Sequence, residues 1–275
     1  MVALLSQFKF KKAAVLSILL ALGVLLAACG SADKGKASEP VELTISAAAS
    51  LTDALQEIKG KYEAAHEGVT LAFNFGASGA LQQQIEQGAP ADLFLSAASK
   101  NMAALVDKQL IDANKQTNLL ANELVVVVPA DGGSELASLN DLAKETIGKI
   151  AIGIPESVPA GNYAKEALTK AGIWDALQAK TVQAKDVRQV LQFTETGNVD
   201  AGFVYRTDAL TSEKAKIALT VDPADYPPIV YPIGLVKASK HAEEAEAFYS
   251  YLQSAEALDV FKAYGFAAPG SASAK

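Results

Sequence analysis

The chain has 275 residues, with 31 acidic against 24 basic side chains, and half of it is apolar. An acidic balance of this size excludes a nucleic-acid-binding surface, which needs a basic face. One cysteine in the whole chain excludes a disulfide framework and a zinc–sulfur site.

The first 28 residues hold Lys9, Lys11 and Lys12, no acid, and an apolar run from Ala13 to Ala28 broken only by Ser17 and Gly23. This is the pattern of a secretory signal. The run closes on Leu26-Ala27-Ala28-Cys29, which resembles the lipobox of bacterial lipoproteins. That resemblance implies cleavage before Cys29 and lipid on its thiol and new amino terminus, several acyl chains together holding the protein to the outer face of the cell membrane. The other reading of Cys29 is a buried core cysteine. Without the leader, 21 basic residues face 31 acidic ones, a formal charge of −10. Residues 30–40 are small and polar and read as a flexible tether. The folded part begins near Val41, and the 235 residues from there suffice for one large domain or two ordinary ones.

Val41 to Ile45 alternates apolar and polar like a strand, and from Leu51 the spacing becomes helical through Leu55, Ile58 and Tyr62. The same change recurs after Val69–Phe75, where Leu81 and Ile85 follow, and after Asp92–Leu95, where Met102, Leu105 and Val106 follow. Three β-then-α units in a row predict a parallel sheet with crossover helices. The apolar strand Leu124–Val128 ends at Pro129, and the rhythm restarts with Lys149–Ile154, a helix from about Gly161, a helix carrying Val187, Val190 and Leu191, and the strand Ala201–Tyr205. Ile233–Val236 reads as a further strand of this second sheet, ahead of two helices with apolar faces Phe248, Tyr251, Leu252 and Leu258, Phe261, Tyr264. If those helices return to the first sheet, lobe 1 comprises 41–121 plus 238–275. Lobe 2 is then 122–237, with both crossover strands.

In open parallel sheets ligands bind beyond the carboxyl ends of the strands, where helix N-termini present unpaired N–H groups. Four such junctions stand out: Ala47-Ala48-Ala49-Ser50-Leu51-Thr52-Asp53, Phe75-Gly76-Ala77-Ser78-Gly79, Val158-Pro159-Ala160-Gly161-Asn162 and Ala184-Lys185-Asp186-Val187-Arg188. Ser50 with Asp53 three residues on is close to a capping box. Four helix starts, two from each lobe, would direct partial positive charge into a common cleft suited to a small anion. Taken singly, each junction reads equally as ordinary capping and turn chemistry.

Several segments resemble those of the periplasmic molybdate-binding proteins of ABC importers: Ala47 to Thr52, Gly88 to Phe94, Val158 to Gly161 with Tyr163 to Leu168, Asp186-Val187-Arg188 and Tyr264-Gly265-Phe266. The resemblance spans almost the whole chain after the tether. It implies an α/β, two-lobe periplasmic-binding-protein fold of class II type, each lobe a mixed, mostly parallel sheet flanked by helices, with the ligand in the cleft. It implies a monomeric, extracytoplasmic solute-binding protein that takes up molybdate or tungstate and hands it to an ABC permease, without a cofactor and with the metal bound only as its oxyanion. Carried over by motif, the ligand groups are the Ser50 and Ser78 hydroxyls with nearby N–H groups, the Ala160 and Val187 amides, and the Tyr205 hydroxyl. Gly76, Ala77 and Gly79 depart from the serines or alanines common there.

Other readings remain. The chain could bind another tetrahedral oxyanion, or serve as a receptor domain of the same fold, although no helix-turn-helix or membrane-spanning effector region is visible. A serine esterase is the enzyme alternative, since Gly76 to Ala80 resembles a nucleophile elbow, but Ala80 stands where glycine is needed. His66 and His241, the only histidines, read as solvated surface, which leaves no general base. Asp92, Asp131, Asp200 and Asp222 are scattered without an oxygen-ligand loop for a divalent cation. Arginine occurs only at Arg188 and Arg206, so a multi-arginine clamp is not available, and a cage of neutral dipoles suits an anion here.

Overall fold

The computed structural model describes residues 40–270. The leader, Cys29 and nearly all of the tether read from the sequence lie outside the described residues. The chain opens with β1 (Val41–Ala48), whose Leu43, Ile45 and Ala47 are fully buried, and passes through a single 3₁₀ turn, Ala49–Leu51, into α1 (Thr52–Ala65). Ala54, Leu55, Ile58 and Tyr62 form one buried stripe of α1, the 3.6-residue period that defines a surface helix. Then come β2 (Val69–Gly76), α2 (Ser78–Glu86), β3 (Leu93–Leu95), α3 (Ser99–Asp107) and β4 (Ile111–Asn122).

After one residue the chain enters β5 (Leu124–Pro129), followed by β6 (Ile150–Gly153), α4 (Pro159–Lys170), the single turn α5 (Trp174–Leu177), β7 (Thr181–Ala184), α6 (Val187–Glu195), β8 (Ala201–Tyr205), α7 (Arg206–Leu210) and β9 (Ala215–Thr220). It ends with β10 (Ile229–Val236), α8 (Ala242–Leu252) and α9 (Ala255–Ala263).

The strands form two sheets of the same plan, β2-β1-β3-β10-β4 and β7-β6-β8-β5-β9. In each, four strands run one way, and the fifth, β10 or β5, is antiparallel to both its neighbours. That reversed strand is the one by which the chain arrives from the other lobe. The two crossings lie side by side, with Asn122 paired to Ile229 and the Leu124 N–H donating to the Tyr226 hydroxyl at 3.2 Å. The C-terminal helices pack on the first lobe, α8 against β1 and β10 and α9 against α1.

Two expectations are corrected. The sequence reading placed Ile233–Val236 in lobe 2, but β10 pairs with β3 and β4 of the first sheet, so the second lobe ends before Ile229. An apolar strand between two sheets satisfies either, and only the hydrogen-bond ladder decides. The Ser50–Asp53 capping box does not form: Ser50 lies within the 3₁₀ turn, α1 has no side-chain cap, and Asp53 faces the other lobe.

Candidate ligand-binding site

The two sheets point the carboxyl ends of their parallel strands at each other. Six strand-to-helix junctions, three per lobe, line one small cavity: Ala48 to Ser50 after β1, Gly76 to Ser78 after β2, Ala97 after β3, Val158 to Ala160 after β6, Val187 after β7 and Tyr205 at the end of β8. All five residues singled out from the sequence, Ser50, Ser78, Ala160, Val187 and Tyr205, are therefore brought together. Each is nearly inaccessible to solvent. The cavity encloses about 10 Å³, the space of roughly one water-sized sphere, so it suits a compact guest and not an extended one. No charged side chain lines it.

Its donors come in two kinds. In lobe 2, Pro159 opens α4 without an N–H, which makes Ala160 the first amide of that helix, and Val187 is the first residue of α6 behind its cap Asp186, whose carboxylate accepts from Gln189 N–H at 2.8 Å. Amides in a first turn have no intrahelical partner. Close packing fixes them: a Cβ on Gly161 would stand 1.9 Å from the Gly153 carbonyl oxygen, so only glycine lets α4 approach β6 this closely. In lobe 1 the donors are side chains. Ser78 Oγ accepts from Ala97 N–H at 2.9 Å, and Ser50 Oγ lies 2.9 Å from the Tyr231 hydroxyl.

Tyr205 adds a hydroxyl that is buried without a hydrogen-bond partner among the described residues. Burial pushes this phenol well above its usual range, as it does Tyr231. Both are therefore protonated donors near neutrality. A buried polar atom without a partner is costly and rare, and one at the wall of a cavity of neutral donors calls for an acceptor-rich guest.

The lobes touch across the cleft. Gly79 N–H donates to the Ser157 carbonyl at 3.0 Å, and Asn122 Nδ2 donates to Thr207 Oγ1 at 2.8 Å. Arg188, next to Val187, forms an ion pair with Asp53 of lobe 1 at 2.5 Å and with Asp208 at 2.8 Å. Burial would push the Arg188 guanidinium down, but the two carboxylates outweigh it and hold the guanidinium above its ordinary value. Burial pushes the fully enclosed Asp208 carboxyl up to about 6, with Arg188 opposing. The arginine is thus already engaged, and the open depression of about 560 Å³ beside it, lined by Asp53, Lys185, Asp186, Arg188 and Glu195 among others, is a charged cleft mouth of mixed sign.

Sequence reasoning missed Tyr231, Asn122, Asp208 and the Asp53 partner of Arg188. The roles of Tyr231, Asn122 and Asp53 arise from pairs 85 to 181 residues apart, for which no local pattern exists, and Asp208 meets Arg188 from the following helix, α7. The esterase reading finds no triad: His66 stacks on Tyr62 at 3.8 Å with Nδ1 at the Tyr62 carbonyl, and neither serine has a histidine partner. His66 and His241 are half-buried and not simply solvated. Among the described residues no group of three or more His, Cys, Asp or Glu gathers as metal ligands.

Residues 43–267 match the family described as bacterial extracellular solute-binding protein. YvgL of Bacillus subtilis (strain 168), provisionally named an ABC transporter substrate-binding lipoprotein, is 52% identical over 260 residues, covering 94% of this chain and 99% of its own. The molybdate-binding protein ModA of Escherichia coli (strain K12) is 40% identical over 250 residues, covering 90% and 94%. Among solved structures, the periplasmic molybdate-binding protein of Azotobacter vinelandii superposes with a TM-score of 0.74 at 26% identity, covering 82% of this chain and 99% of that one. With the fold, the cleft and a match over most of its length, this chain belongs to the bacterial extracellular solute-binding protein family.

Proposed function

We propose that the protein captures molybdate, and tungstate equally, in the cavity between its lobes and delivers it to an ABC permease. It acts as a binding protein and not as an enzyme. The observation that carries the reading is the cavity itself: two serine hydroxyls, two first-turn amides and an unpartnered tyrosine hydroxyl converge on a space for one compact guest, with no charged side chain in its wall. A tetrahedral dianion supplies acceptors in every direction and meets donors in every direction. The relatives that bind molybdate by name are similar over nearly the whole chain.

Charge does not separate molybdate from sulfate, and on this reading size does: in a donor cage that closes around molybdate, sulfate with its shorter bonds would leave donors on one wall unmet. Each bond left unmade strands a desolvated donor at about 1–3 kcal/mol, and two such losses amount to roughly 30- to 10⁴-fold. Phosphate, partly protonated at neutral pH, brings a hydrogen into a site of donors. Calorimetric titration of the delipidated protein with the four anions is expected to give molybdate and tungstate within about tenfold of each other, with sulfate and phosphate at least roughly a hundredfold weaker. Sulfate binding as tightly as molybdate would overturn the assignment.

For attachment, we infer that Cys29 carries the lipid and that the protein works as an anchored monomer. The leader and lipobox pattern and the lipoprotein name of the B. subtilis relative support this. Cys29→Ser is expected to release a folded, ligand-competent protein from the membrane fraction; a variant that stays there as firmly as the parent refutes the anchor.

A further inference from the structure

We propose that Asn122 and Tyr231 form a one-way donor relay that turns the Ser50 hydroxyl toward the bound oxyanion and ties that orientation to closure of the lobes. The relay rests on the reading of Ser50 as a ligand group, and neither Asn122 nor Tyr231 lines the cavity. They are positioning residues.

The direction follows from what each atom can do. Asn122 Oδ1 accepts from the Glu123 N–H at 2.9 Å, which settles the rotation of the amide. The Nδ2 group therefore faces Thr207 Oγ1 at 2.8 Å and Tyr231 Oη at 3.2 Å. An amide nitrogen only donates, so Tyr231 Oη accepts. The remaining partner of Tyr231 is Ser50 Oγ at 2.9 Å, and the buried phenol hydrogen has that oxygen to go to. With its oxygen occupied, Ser50 turns its own hydrogen into the cavity. The opposite polarity, with Ser50 donating to Tyr231, would leave the phenol hydrogen only the neighbouring Tyr205 hydroxyl, which makes no hydrogen bond to it here, and would face serine lone pairs toward an anion.

Ser78 obeys the same rule by a shorter route. Its oxygen accepts from the Ala97 N–H at 2.9 Å, so its hydrogen too is left for the guest. Both serines are thereby held as donors, which is the polarity that admits a fully deprotonated oxyanion and disfavours a protonated one. The Ser50 branch carries a second property. Asn122 is the last residue of β4, at the crossing between lobes, and its other amide hydrogen is bound to Thr207 of lobe 2. Closure that brings Thr207 to Asn122 fixes the amide, and the amide fixes the relay.

The test is a pair of double-mutant cycles read by molybdate calorimetry, with thermal unfolding of each variant to establish that it folds. Ser50→Ala and Tyr231→Phe are each expected to weaken molybdate binding about 5- to 50-fold. The double variant should fall within about twofold of Ser50→Ala alone, because the phenol acts only through that serine. Tyr231→Phe should also narrow the preference for molybdate over hydrogen phosphate, since a released Ser50 oxygen can accept. Full additivity, or an unchanged preference, overturns the relay.

Asn122→Asp supplies an independent cycle. A carboxylate can only accept, so Tyr231 must donate to it and Ser50 must donate to Tyr231. The loss of affinity is then expected to shrink in the Ser50→Ala background, whereas plain repulsion between carboxylate and anion would persist there and would overturn the relay. If Tyr231→Phe does not fold, this second cycle decides. A silent Ser50→Ala in a protein that binds molybdate refutes the reading of Ser50 as a ligand group, and the relay with it. A strong Ser50→Ala with additive partners refutes the relay alone.

Discussion

The two lobes share one strand order and present the same three strand-to-helix junctions to the cleft, yet they arm them differently. On the proposed reading, lobe 2 contributes backbone amides whose directions are set by helix packing, down to the close approach of Gly161 and Gly153, together with the Tyr205 hydroxyl. Lobe 1 contributes serine hydroxyls, which rotate about a single bond and need a second group to aim them. Ala97 N–H serves Ser78, and Tyr231 serves Ser50. The same architecture therefore reaches the same polarity by two routes, one fixed by the backbone and one by a local hydrogen-bond network.

The sharpest way to break this contrast is to delete one donor of each kind. Val187→Pro removes an amide at a helix start, where proline keeps the helix φ and sacrifices only an N–H that was already without an intrahelical partner. It is expected to cost about 1–3 kcal/mol of molybdate affinity. Ser50→Ala, Ser78→Ala and Tyr205→Phe should each cost a similar amount by calorimetry. If the serine variants are costly and Val187→Pro is silent, lobe 2 does not bind through its backbone.

A smaller effect tests the buried Arg188–Asp208 ion pair of lobe 2, beside the inter-lobe contact of Arg188 with Asp53. The Asp208 carboxyl, pushed up to about 6 by burial, holds its proton more tightly in the folded than in the unfolded chain. Its contribution is therefore unfavourable above about pH 6, and the penalty is relieved as pH falls from about 6 toward 4. Relative to Asp208→Asn, the parent is expected to gain about 1–2 kcal/mol of stability between pH 7 and pH 4.5, read from thermal unfolding of both. A difference that stays flat, or that reverses, would mean that Arg188 holds the carboxylate ionised throughout.

How much of this was legible in the sequence divides along physical lines. The central strands Leu124–Pro129 and Ala201–Tyr205 are buried on both faces and stand out as apolar runs, and β1 shows itself by the alternation of its first half, where Glu42 is exposed and Leu43 buried. The strands that went unrecognised, β4, β7 and β9, all lie at sheet edges. β4, with the sequence Ile-Asp-Ala-Asn-Lys-Gln-Thr-Asn-Leu-Leu-Ala-Asn, is exposed over much of its length and shows no alternation to read. Edge strands bury too little for the period of two to appear.

The five proposed ligand groups could be named because helix starts carry local signatures and the segments around them resemble a known family. Tyr231 and Asn122 could not, since their contacts to Ser50 and Thr207 exist only once β10 has joined the first sheet beside β4. Gly79 is intermediate. It was visible as a departure from the usual serine or alanine, but its reason is tertiary: a Cβ there would meet the Ser157 carbonyl oxygen of the opposite lobe at 2.7 Å.

An oxyanion held by donors from both lobes at once draws the lobes together in proportion to its preference for the closed form. Small-angle X-ray scattering of the delipidated protein, with and without saturating molybdate, reads this directly. A smaller radius of gyration with molybdate, and none with sulfate at the same concentration, is the expected result; an unchanged radius alongside saturable molybdate binding would contradict a site shared between the lobes.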